Sequence, residues 1–95
     1  MSQKPETIFK RKLLTDLRAI PESHWMVIQQ QAISGTPDVI GCIKGLFVAL
    51  ECKVRGNKAT ERQEFELKCL QAARGIALVV NEENKWDILK LLKKL

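Results

Sequence analysis

One histidine, His24, and three cysteines with no Cys-x-x-Cys pair are all the imidazole and thiol ligands in this 95-residue chain. That excludes an ordinary zinc site, which gathers Cys and His ligands at close spacing. The same poverty leaves the chain ill-equipped for nucleophilic Cys–His catalysis. Cys42, Cys52 and Cys69 are odd in number, far apart and set among apolar residues. They read as reduced core cysteines of a protein in a reducing compartment. No apolar run approaches the roughly 20 residues of a membrane-spanning helix, and the N-terminus lacks a signal-peptide apolar segment, so a cytoplasmic, soluble protein is expected. Repeats, low-complexity segments and internal linkers are missing too, and residues 1–95 are expected to form a single domain with a modest core.

What is present is ordinary for a globular protein: 45% hydrophobic and 28% charged residues, values that exclude wholesale disorder. Sixteen Lys and Arg against eleven Asp and Glu give a net charge of +5. A small basic domain is compatible with nucleic acid, because neutralising phosphates releases condensed counterions.

The chemistry gathers at Pro37-Asp38 and at Glu51-Cys52-Lys53. Two carboxylates and a lysine are the minimum set for holding a divalent cation against a phosphodiester. Between them, Lys44-Gly45 is a turn signal separating two apolar runs. A turn there pairs Ile43 with Leu46 and sets Asp38 directly opposite Glu51. Facing side chains on antiparallel strands have Cβ atoms roughly 4.5–5.5 Å apart, close enough to share one cation. Period-two alternation then puts Lys53 on the Glu51 face. A slip of one residue would destroy the arrangement.

The remaining elements follow from periodicity and caps. Pro5 suits a first helical turn, Glu6 follows where a carboxylate favours the helix dipole, and Phe9, Leu13, Leu17 and Ile20 recur at helical spacing. A helix is predicted from Pro5 to Ala19, ended by Pro21, with Lys4, Lys10, Arg11, Lys12 and Arg18 as a basic outer surface. His24 to Gln30 reads as a strand. Both faces of the hairpin are apolar, so it is expected to be covered on both sides. Thr60 and Gln63 form a capping box opening a helix that runs to Arg74, where Gly75 stops it. Ile76 to Val80 reads as a buried strand, reached by a right-handed parallel crossover. Asn84 to Leu95 forms a last helix; its Trp86 and the strand around Trp25 are read first as core, with a dimer interface as the other reading. The fold class is α/β, with a mixed sheet and the order αβββαβα.

The helix carrying Glu6, the hairpin with Gly35-Thr36-Pro37-Asp38 and Glu51-Cys52-Lys53, and the helix opening with Gln63 together resemble the PD-(D/E)xK nucleases, which share a restriction-endonuclease-like core. Within them the chain is most similar to the virus-type replication-repair nuclease (VRR-NUC) family, over residues 4 to 82. That resemblance implies an endonuclease that hydrolyses DNA with Mg²⁺ or Mn²⁺, working in a bacterial or phage-infected cell. Asp38 and Glu51 would be metal-binding carboxylates, completed by the main-chain carbonyl of Cys52. Glu6 would answer to the family's first-helix acid and Gln63 to its orienting glutamine, a role compatible with capping. Lys53 would orient or deprotonate water and offset charge on the phosphate. Stand-alone members imply homodimers acting on branched DNA, chiefly four-way (Holliday) junctions.

Arg55 and Lys58, in the loop after the motif, are candidate phosphate contacts or simply solvated loop residues. Three other readings stay open: a flap or single-strand nuclease, a catalytically inactive DNA-binding module, and a structural interaction domain that binds no divalent metal.

Overall fold

A computed structural model describes residues 4–29 and 34–95. The chain forms α1 (Pro5–Arg18), β1 (Ser23–Val27), β2 (Val39–Ile43), β3 (Leu46–Cys52), α2 (Glu61–Ala72), β4 (Ile76–Val80) and α3 (Lys85–Lys93), the order its pattern predicts. β1 is shorter than expected: it stops at Val27, and Gln30 lies outside the described residues.

The four strands make one mixed sheet in the order β1-β2-β3-β4. β1, β2 and β3 run antiparallel, and β4 lies parallel to β3. The hairpin register is the expected one, Ile43 facing Leu46 and Val39 facing Leu50. Its cause is local. Lys44 and Gly45 both have positive φ (49° and 86°), the backbone of a type I′ turn whose twist matches the strands it joins.

Helices cover the sheet unequally. α1 and α3 pack Leu13, Leu17, Leu89 and Leu92 against Val39, Val48, Leu50 and Val80, forming the main core. Each such side chain contributes about 1.5–3 kcal/mol on burial. Trp25 belongs to this layer and lies against Gly41, where any Cβ would meet its ring. On the other face α2 forms a smaller cluster, Leu67 with Ala49 and Ala77. α2 is shorter than predicted, and Leu67 is its only buried residue among those described.

This asymmetry corrects three expectations. The hairpin is not covered on both sides: Phe47 and Cys42 are exposed, with Met26 of β1 beside them. Cys42 and Cys69 are therefore surface thiols, and only Cys52 is in the core. Trp86 is 61% exposed, because α3 turns Leu89 and Leu92 inward and leaves Trp86 on the flank.

Candidate metal centre

Asp38 directly precedes β2, and Glu51 lies near the end of β3. Extending the hairpin register by one pair brings them face to face, as the turn requires. Asp38 is held twice. Its carbonyl accepts the Ile28 N–H (2.8 Å), extending the β1–β2 ladder, and its Oδ2 accepts the Cys52 N–H (2.9 Å). Lys53 is anchored from the other side, its N–H donating to the Val80 carbonyl at 2.9 Å. The strand ends are thus fixed by backbone bonds on both flanks. The side chains gather where α1 and α2 reach that end of the sheet from opposite layers.

α1 supplies Glu6 from its first turn. Glu6, Asp38 and Glu51 each place a carboxylate oxygen within 4.8 Å of the other two. Three carboxylates so close repel one another unless a proton or cation lies among them. Glu51 bears most of the conflict. It is only 2% exposed, and its Oε1 is buried without a hydrogen-bond partner. Burial, then the neighbouring Asp38, push its pKa up to about 8. Lys53 opposes that rise, and Glu6 adds to it. Ionised, Oε1 has no donor to offset its charge.

The other Glu51 oxygen is well supplied. Gln63 Nε2 donates to Oε2 at 3.2 Å, and Lys53 Nζ stands 3.8 Å away. Gln63 also forms the capping box expected of it. Its Oε1 accepts the Thr60 N–H (2.9 Å) and its own N–H donates to Thr60 Oγ1 (3.1 Å), closing the capping box. One residue therefore fixes the start of α2 and the orientation of Glu51.

Lys10 is the member that sequence reasoning placed elsewhere. Assigned to the basic outer surface, it instead donates from Nζ to Asp38 Oδ1 at 3.3 Å. The signal was available: Lys10 is four residues after Glu6, and such pairs share a helix face. Arg55 and Lys58 lie on the exposed loop after β3, with no side-chain bond to the cluster among the described residues. The Arg55 N–H donates to Glu82 Oε2 (3.0 Å), which lowers the Glu82 pKa and pins the loop to the end of β4.

The donor chemistry suits a hard cation. The groups that converge are oxygens, and burial first, then the charge of Asp38, pushes the Cys52 thiol up to about 12, so it stays protonated and is no ligand. Carboxylate and carbonyl oxygens favour Mg²⁺ or Mn²⁺ over zinc. No family model, curated protein or solved structure matches this chain.

Proposed function

We propose that this chain is a divalent-metal-dependent DNA endonuclease with a restriction-endonuclease-like core of the VRR-NUC kind. The observation that carries this reading is the buried, donor-less Oε1 of Glu51, a residue that clusters with Asp38 and Glu6 and has Lys53 beside its other oxygen. A carboxylate in that position is expensive unless a proton or a cation neutralises it, and a cation can do so while leaving the group ionised.

Asp38 and Glu51 would hold Mg²⁺ or Mn²⁺, with the Cys52 main-chain carbonyl, and Glu6 would hold water or a second ion. The bound cation would polarise the scissile phosphate and acidify water beside it. The chain's own groups do the rest. Gln63 keeps the Glu51 carboxylate in one orientation. Lys53, carried on a strand end that is bonded on both sides, presents a fixed positive charge toward the phosphate, where negative charge grows during hydrolysis. Arg55 and Lys58 on the adjacent exposed loop would meet flanking phosphates, contacts that position the backbone without reading sequence.

Branched DNA is the substrate we favour, acted on by a homodimer whose two sites nick opposite strands. A net charge of +5 supports a nucleic-acid partner, and the exposed Trp86 and Phe47 offer apolar surface for pairing. The test is a panel of labelled junctions, flaps, single strands and duplexes with Mn²⁺, Mg²⁺ or chelator, alongside mass in solution. Junction cleavage that needs the ion is expected, and Lys53→Ala should bind junctions without cutting them. If wild-type protein cuts no member of the panel with either ion, the enzyme reading fails.

A further inference from the structure

Two lysines touch the acidic cluster, and they are differently placed. Lys53 leaves a strand end fixed by the Val80 carbonyl, and its ammonium stands at 3.8 Å from Glu51 Oε2. Lys10 leaves a helix and reaches Asp38 Oδ1 more closely, at 3.3 Å, with 22% of its side chain exposed to solvent. Asp38 Oδ2 is already taken by the Cys52 N–H. Oδ1 is therefore the Asp38 oxygen freer to bind a cation, and Lys10 sits on it. A divalent ion bonded to that oxygen at roughly 2.0–2.1 Å would meet the ammonium at close range, as charges of like sign. Both cannot stay. The long, flexible lysine stem has an open route to solvent, whereas the carboxylates are held by backbone and by Gln63.

From this we infer that Lys10 is a resting counter-ion for the metal site, a built-in competitor that the incoming divalent cation displaces from Asp38. The inference rests on the metal-site reading above and deepens it. Lys10 keeps three clustered carboxylates tolerable in the empty protein. In doing so it lowers the affinity for metal and sets the ion concentration at which the site fills. Charge-assisted hydrogen bonds of this kind are among the stronger polar contacts, so the competition is measurable.

Calorimetric titration with Mn²⁺ at constant pH tests it without relying on cleavage. Lys10→Met keeps the apolar stem and removes the charge, and it should bind Mn²⁺ about tenfold more tightly than wild type. Lys10→Arg keeps the charge and should stay near wild-type affinity. The thermal stabilisation produced by a fixed Mn²⁺ concentration should grow in Lys10→Met by the amount its affinity gain dictates. If Lys10→Met does not fold, Lys10→Gln carries the same expectation. Unchanged or weaker Mn²⁺ binding in the folded, charge-removed variant overturns the inference. The two levels separate cleanly. If wild type binds Mn²⁺, Asp38→Asn does not, and Lys10→Met matches wild type, only the role of Lys10 falls. If wild type takes up no Mn²⁺, the metal reading falls and takes the counter-ion with it.

Discussion

Glu51 makes the metal-free protein sensitive to pH in a direction opposite to most carboxylates. Its pKa is raised from 4.5 to about 8, chiefly by burial and then by Asp38, so the fold favours the neutral acid. The stability this contributes is fully present below the unfolded value near 4.5 and is lost as pH rises through about 8. At about 1.4 kcal/mol per pH unit, the gap sets a ceiling of about 5 kcal/mol. Against a typical domain stability of about 5–15 kcal/mol, even half of that is large. Urea unfolding in chelator at pH 5, 6, 7 and 8 measures it. Wild type should weaken steadily across the series, while Glu51→Gln, neutral throughout and still able to bond Asp38, should stay nearly level. Adding Mn²⁺ at pH 8 should restore wild type, by about 2.7 kcal/mol at a hundred times its Kd, and leave Glu51→Gln unchanged. A wild-type profile that is flat in chelator, or one that Glu51→Gln reproduces, would refute the argument from the donor-less oxygen.

Other outcomes follow from the same geometry. Lys53→Ala should lower cleavage of a junction by about 10²–10³-fold in kcat while gel-shift affinity holds, as expected for a charge that acts on the transition state. Gln63→Ala removes the side-chain half of the capping box, the acceptor of the Thr60 N–H, and should destabilise the protein by about 1 kcal/mol in urea unfolding, with metal affinity falling in parallel because Glu51 loses its orienting bond. Gly41→Ala should cost about 1–3 kcal/mol, since the new methyl group would lie 2.6 Å from the His24 carbonyl and inside contact of the Trp25 ring. Removing both Arg55 and Lys58 should weaken junction binding and reduce its salt slope by about 2, measured by fluorescence anisotropy between 50 and 200 mM salt.

The sheet was legible because its instructions are local. Lys44-Gly45 dictated the turn, the turn dictated the register, and the register brought Asp38 to Glu51. The capping box of Thr60 and Gln63 likewise marked the start of α2 to the residue. What could not be read was coverage. Cys42, Cys69 and Trp86 fall on faces that read as apolar in sequence, but whether an apolar face is buried depends on how far a helix extends over it. α2 extends only far enough to bury Leu67, and α3 faces inward through Leu89 and Leu92. Lys10 escaped for a related reason. Its helical spacing from Glu6 was visible, yet a lysine among other basic residues gives no sign of having a partner until Asp38 is placed in space.

The uneven burial of the thiols makes the molecule its own clock. Cys42 and Cys69 are exposed, while Cys52 is enclosed and its backbone N–H is the one that holds Asp38. A thiol reagent should modify two cysteines quickly and the third only during excursions that open the strand end. The slow phase therefore times the breathing of the very bond that positions the carboxylate. Any ion or nucleic acid that settles there should slow that phase, giving a reading of occupancy in which no bond of the substrate need be cut.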